Sequence, residues 1–367
     1  MTTTVEEWPA LPPAEGAGRL PRHVFDFRGL QRRVAWCAEA AKARGFTLAY
    51  SIKTNPDPQV LACMNAAGLC AEAINGAEVE AALAAGFRPD QIVLGGPGKA
   101  WPSGMVLGAL LALVDDSVDA FARSIRANQG HRYLCVRLRF PGVSSRLGVD
   151  TTSHPDCRRI AEQLRQARAA GAAVGLATHQ RSSSHSTADQ WLTTIEALLD
   201  GVAKAADGLD GVSALDLGGG FTADGLDALL VGETGRRLRQ YVRRRLPNCH
   251  AVIFEPGRSL VESYGFVLST VIANVSAHEV IVDASLAELP WPFPEHRPVY
   301  VRRGDEWLAL GKGTGIVAGR TTVETDVLAS HRDVSELRTG DLICFTQAGA
   351  YDVSMRNQFG IGSILSA

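Results

Sequence analysis

Eight short runs of aliphatic and β-branched residues, at 47–51, 69–73, 91–94, 110–114, 133–138, 173–178, 214–217 and 251–254, recur between alanine-rich stretches of helical pattern. Such alternation marks parallel strands joined by crossover helices, and eight is the number that closes a β/α barrel. Helices are expected at 30–43 and 187–206, among others. Beyond Arg258 the alternation stops, and strands are expected at 266–275, 279–283, 299–302, 307–310 and 341–345 without long helices between them. The expected fold is therefore α/β: a (β/α)8 TIM-type barrel over 25–262, with a second, all-β, Greek-key-like domain over 263–367. Part of 1–24 is assigned to the second domain.

Composition narrows the function. With 367 residues, 46% of them hydrophobic, the chain can bury a barrel core of ordinary size and a second, smaller one. A net charge of −2 gives it no global attraction to nucleic acid or to an anionic membrane. The arginines 236, 237, 239, 243, 244 and 245 alternate with Leu238, Tyr241, Val242 and Leu246, the pattern of an outer helix with a solvated face. Seven cysteines lie scattered without metal-type spacing, which points to a reducing compartment and to packing roles. The opening stretch MTTTVEEWPALPPAEGAG carries acid and proline where a secretory signal needs a basic end and an apolar segment, and the longest apolar run, 105–114, is too short to span a bilayer. A cytoplasmic protein with a small-molecule partner, no nucleic acid, no membrane and no metal is expected.

In barrels, chemistry sits beyond the C-terminal ends of the strands. Those positions hold Lys53, the pair Gly95-Gly96, Arg137 near a strand end, His179, the run Gly218-Gly219-Gly220, and Glu255-Pro256-Gly257-Arg258. Three glycines after a buried strand let backbone N–H groups approach a phosphate, although a plain tight turn uses the same residues. Arg258 can add a planar, charge-assisted fork, or serve as a surface arginine. Lys53, in YSIKTN, is a candidate nucleophile, because partial burial lowers a lysine pKa and frees the amine. His179 pairs poorly with His185 as a metal ligand, and stacking on an aromatic cofactor or a core role suits it better.

Taken together, YSIKTN, GLATHQRSS, LDLGGGF, EPGR and GAYDVSM resemble the fold-type III pyridoxal-phosphate decarboxylases, the ornithine, arginine and diaminopimelate group that shares its barrel with alanine racemase. The resemblance runs from about residue 22 to residue 362. It implies pyridoxal 5′-phosphate as cofactor, bound as a Schiff base on Lys53, with His179 stacked on its ring and Ser182 near its phosphate. Gly218, Gly219, Gly220, Gly257 and Arg258 would cradle the phosphate, and Tyr351 would reach it from the β domain. Glu255 would pair with the pyridine nitrogen, which favours decarboxylation over the racemase chemistry that an arginine there would suit. The resemblance also implies a homodimer with shared active sites, the segment GRTTVETD being lent to the partner subunit, and a salt bridge from Arg146 to Asp326 across that interface.

Several positions depart from the family pattern. Thr322 and Val323 stand where relatives carry a cysteine followed by an acid that holds the distal ammonium of the substrate. An unpaired buried ammonium costs several kcal/mol, so ornithine and lysine are expected to be poor substrates. Thr322 has no easily ionised proton, leaving Lys53 or a water to protonate the product carbon. Trp291 replaces the arginine that grips diaminopimelate, Glu72 replaces an aspartate, and Arg181 replaces a glycine. Arg137, Trp291, Val323, Asp326 and Phe359 form the candidate substrate set, with Arg320 and Arg356 as further carboxylate binders. The leading expectation is decarboxylation of a nonstandard amino acid, free or carrier-bound, such as an intermediate of siderophore or other specialised-metabolite biosynthesis. A racemase or epimerase of the same barrel and a non-catalytic, partner-binding relative are the alternatives.

Overall fold

The computed structural model describes residues 11–12, 20–99, 109–127, 130–139, 146–180, 187–206, 209, 211–290 and 297–357. They divide into two units, one of residues 31–260 and one of the described residues within 1–30 and 261–367.

The first unit is a closed parallel barrel. Its strands are Thr47–Ser51, Cys70–Asn75, Ile92–Gly98, Ala112–Asp115, Tyr133–Arg139, Val174–Thr178, Val212–Asp216 and Ala251–Phe254. Each pairs with the next in parallel, and the eighth returns to the first with Ile253 opposite Thr47. The expected runs are these strands with shifted ends. The largest shift is in the third, which continues to Gly98, so Gly95 and Gly96 lie inside the strand rather than beyond it. A bulge between Ala73 and Asn75 allows this, together with a left-handed Gly96 (φ +79°), where a Cβ would sit 3.2 Å from the Ile74 carbonyl oxygen.

Small side chains close the ring. Ala49, Val93, Ala112, Cys135, Ala177, Ala214 and Ile253 meet in one buried cluster. At Gly175 even a Cβ would lie 2.6 Å from Cys135 Sγ. On the other face of the eighth strand, Phe254 packs against Phe46, Trp191 and Phe221 at centroid distances of 5.1, 6.1 and 5.8 Å. This seats the helix Ala188–Ala206 through Trp191. The arginine-rich segment is a helix, Glu233–Arg245, that buries Leu238, Tyr241 and Val242. Its arginines pair outward, Arg237 with Asp189 and Arg245 with Asp200.

The second unit is built on one long strand, Gly265–Ser276. Its first half pairs antiparallel with Arg22–Phe25 and Leu342–Phe345. Its second half pairs with Glu279–Val282, which continues the sheet to Lys312–Ala318 and Val327–Arg332. Val299–Arg303 and Glu306–Ala309 complete it. Two of these strands, Lys312–Ala318 and Val327–Arg332, were not anticipated from the sequence, and the leader supplies a strand at Arg22–Phe25. Among the described residues no helix is long and apolar enough to cross a membrane, and no cluster of three His, Cys, Asp or Glu could hold a metal.

Candidate active site

The ends of the barrel strands bring a dense set of ionisable groups together. Lys53 lies on the helical turn Ile52–Thr54 directly after the first strand, and its Nζ donates to Glu72 Oε2 at 2.6 Å and to Ser51 Oγ at 2.7 Å. Ser51 Oγ in turn donates to Glu72 Oε2 at 2.5 Å. Glu72, on the second strand, is 3% exposed. Such a short, buried contact holds the amine in one orientation, while the side chain of Lys53 remains 36% exposed and therefore reachable.

Arg137, on the fifth strand, stands 3.8 Å from Asp116. Burial first, then the positive charges of Arg137 and Lys53, push His179 down to about 4, so its imidazole is neutral at physiological pH. The carboxyls of Asp216 and Glu255 are both pushed up, Asp216 to about 6. Burial is the main cause for each, and for Glu255 the neighbouring Asp216 adds to it.

The backbone between the seventh and eighth strands is drawn tight around this cluster. Gly218 is left-handed at φ +65°, and a Cβ there would fall 2.8 Å from the Thr178 carbonyl oxygen and 2.9 Å from the His179 ring. At Gly219 it would fall 2.2 Å from the Glu255 carbonyl oxygen, and at Gly257 2.0 Å from Thr54 Oγ1. Glu255 N donates to Gly218 O at 2.7 Å, which ties the glycine turn to the loop after the eighth strand. These are cradles that only glycine fits. A nucleophilic amine, a neutral aromatic ring, an acidic pair and a glycine cradle form a donor set that suits an aromatic, phosphorylated aldehyde. Pyridoxal phosphate fits the residues present.

Lys53, Arg137, His179, Gly218, Gly219, Gly220, Glu255, Gly257 and Arg258 thus all belong to the barrel unit. Glu72 had been noted only as a departure, and Ser51 and Asp216 had not been singled out. Thr322, Val323, Asp326 and Tyr351 belong to the other unit. Thr322 and Val323 lie exposed on a loop, and Tyr351 has a left-handed backbone (φ 66°). Asp326 is 3% exposed and accepts from Leu286 N at 2.8 Å, Thr321 N at 3.0 Å and Thr321 Oγ1 at 2.5 Å, so its oxygens serve its own loop. Arg320 is likewise engaged, with Glu288 at 2.8 Å. Arg181, Ser182, His185, Trp291 and Phe359 lie outside the described residues.

Comparison with known proteins agrees with this chemistry. Residues 29–103 match the family "Pyridoxal-dependent decarboxylase, pyridoxal binding domain". A diaminopimelate decarboxylase of Zymomonas mobilis is 23% identical, the match covering 98% of this chain and 89% of that protein. An ornithine decarboxylase of Schizosaccharomyces pombe is 25% identical over 92% of this chain and 80% of its own length. Among solved structures, the diaminopimelate decarboxylase of Helicobacter pylori complexed with L-lysine superposes with a TM-score of 0.72 at 21% identity, covering 94% of this chain and 90% of that one.

Proposed function

The chain belongs to the fold-type III pyridoxal-phosphate-dependent decarboxylases, and from that premise we propose that it releases carbon dioxide from a nonstandard amino acid rather than from ornithine, lysine or diaminopimelate. Its cofactor is pyridoxal phosphate and its reaction class is amino-acid decarboxylation. The observation that carries the finer reading is the loop 321–325. Val323 fills the position of the family's substrate-gripping acid and is 40% exposed as an alkyl group, while the charged neighbours Arg320 and Asp326 are consumed by bonds within the loop's own unit.

When bound, the cofactor supplies a conjugated ring that accepts the electron pair left by the departing carboxylate. Lys53 would hold it covalently, His179 would lie against the ring as a neutral plane, and Glu255 would stand at the ring nitrogen. Gly218, Gly219, Gly220, Gly257 and Arg258 would surround the phosphate, joined by Ser182 and by Tyr351. The proton that replaces the carboxyl group is assigned to Lys53 rather than to Thr322, whose hydroxyl does not ionise near neutral pH. Glu72 and Ser51 hold that lysine Nζ at 2.6 and 2.7 Å, which fixes where the proton is delivered. The protein is proposed to be a homodimer in which the loop carrying Thr322 and Val323 completes the partner's site, and to act in the cytoplasm.

The test is direct. Purified protein supplied with pyridoxal phosphate should develop a visible absorption band that borohydride fixes covalently, and Lys53→Ala should lack it and lose at least roughly 10³-fold in carbon dioxide release. A panel of amino acids should find ornithine, lysine and diaminopimelate poor. Efficient turnover of any of these three would overturn the substrate reading, and absence of the band would overturn the site.

A further inference from the structure

Register sets a serine beside the buried acid that holds the nucleophilic lysine. Ser51 ends the first barrel strand and lies directly opposite Glu72 of the second in their parallel pairing. Ala49 and Cys70, opposite each other two residues earlier and so on the same face, pack in the barrel's interior cluster, which points Ser51 and Glu72 inward above it. Ser51 is 5% exposed and Glu72 3%. Glu72 Oε2 accepts two bonds at once, from Lys53 Nζ at 2.6 Å and from Ser51 Oγ at 2.5 Å, and these are its hydrogen-bond donors among the described residues. Lys53 Nζ also donates to Ser51 Oγ at 2.7 Å, so the three side chains close a triangle. The serine is fixed from behind: its N–H donates to the Pro256 carbonyl oxygen at 3.1 Å, and a Cβ on Gly257 would lie 3.3 Å from its own Cβ.

Lys53 cannot keep this arrangement while it holds a cofactor. As an ammonium, its nitrogen carries three donors. Joining that nitrogen to an aldehyde carbon by a C=N bond expels the carbonyl oxygen as water, together with two of those hydrogens, and leaves at most one. A buried carboxylate stripped of its partner is costly. We propose that Ser51 is a positioning residue that takes over Glu72: its hydroxyl keeps bonding the carboxylate when Lys53 turns away, so the amine leaves its ion pair for the cofactor without leaving a bare charge behind. This rests on Lys53 being the residue that holds the cofactor. In the free protein the same hydroxyl accepts from Lys53, so one serine serves the lysine before capture and the carboxylate after it.

Pyridoxal phosphate and its alcohol counterpart, pyridoxine phosphate, separate this role from plain packing, because the alcohol has no aldehyde carbon for Lys53 to bond. Ser51→Ala should bind pyridoxal phosphate roughly tenfold more weakly than wild type, the loss expected for one hydrogen bond to a charged group, and should bind pyridoxine phosphate as wild type does. In cofactor-free protein, chemical denaturation of Ser51→Ala, Lys53→Met and the double variant should show coupling: removing the serine costs more once the lysine is gone. Ser51→Cys, similar in size with only a weak S–H donor, gives the same comparison if Ser51→Ala does not fold. The proposal is overturned if Ser51→Ala weakens both ligands alike or neither, or if the two substitutions add without coupling. A failure of the cofactor reading itself is distinguishable: the denaturation coupling would stand while no Lys53-dependent, borohydride-fixed band formed.

Discussion

Buried acidic side chains are treated in opposite ways by the two units. In the β unit they form closed networks. Arg297, 4% exposed, donates to both oxygens of Asp352 at 3.0 and 3.2 Å and to the carbonyls of Thr346 and Gln347. Arg320, Glu288 and Ser285 satisfy one another, as do Asp326, Thr321 and the Leu286 amide. In the barrel, by contrast, buried oxygens of Asp115, Asp116, Gln180 and Asp216 meet no hydrogen-bond donor among the described atoms. Gln180 and Asp116 follow strand ends, where a ligand is bound in this architecture. Buried polar atoms without partners cost about 1–3 kcal/mol each, so the barrel mouth is held in a state that stability alone would not select. The β unit's buried acids build its loops, whereas several carboxylate and amide oxygens of the barrel are left open.

That contrast can be broken most forcefully at Arg297. Its bonds hold the loop on which Gln347 and Tyr351 both adopt left-handed backbone, φ 56° and 66°, without being glycine. Removing one partner of a buried pair leaves the other charge uncompensated, so Arg297→Met should cost about 3–5 kcal/mol in chemical denaturation. Glu255→Gln, in cofactor-free protein, should be neutral or gain about 0.5–2 kcal/mol, because it relieves a crowded acidic pair. Equal losses from the two substitutions would erase the distinction between the units.

Acid sharpens it next. His23, in the β unit, is pushed down to about 3, by burial first and then by Arg356. Unfolded, it binds its proton near 6.5, so from there toward 3 the unfolded state holds more protons and stability falls as pH falls. Glu288 works in the same direction: burial raises its carboxyl, but the bonds from Arg320 and Ser285 outweigh that and hold it low. In the barrel, His179 is pushed down to about 4, yet Asp216 is raised to about 6 and Glu255 is raised as well. A raised carboxyl gains stability on acidification, which offsets His179. The β unit should therefore open first in acid, losing up to about 1.4 kcal/mol per pH unit through His23. Hydrogen exchange followed peptide by peptide should report this opening, and His23→Gln, whose amide can still donate to Glu288 O, should flatten it.

The same division governs what was legible in the sequence. Barrel strands announce themselves because each is a short aliphatic run followed by a helix, and Lys53, His179, Gly218 and Glu255 were found simply by looking beyond those runs. Asp216 escaped notice because it closes the seventh strand within LDLGGG and reads as part of a glycine turn. Asp115 and Asp116 were also missed, although a pair of acids directly after ALV obeys the same strand-end rule. In the β unit, Lys312–Ala318 was hidden by Gly313 and Gly315, which press against the backbone of Arg332 and leave no alternation to read. Its partner Val327–Arg332 is joined to it through repeated register shifts, so neither strand carries a regular period.

The smallest expected effect bears most on what the enzyme acts upon. If the barrel keeps the family's chemistry while the loop at 321–325 has given up the family's substrate grip, then restoring an acid there should return part of the lost recognition. Val323→Asp places a carboxylate where an exposed alkyl group now stands, next to Glu324 and clear of the bonds that hold Asp326. A charge-assisted contact to a substrate ammonium is worth about 1.5–3 kcal/mol, of which a single substitution in an unoptimised loop should recover the lower part. The expected outcome is a rise of roughly tenfold in kcat/KM for lysine or ornithine, with the visible cofactor band unchanged. A gain in kcat/KM without a change in the band would place recognition on the loop and chemistry in the barrel. A loss of the band would mean that the loop shapes the cofactor site as well, and the separation between the two regions would have to be given up.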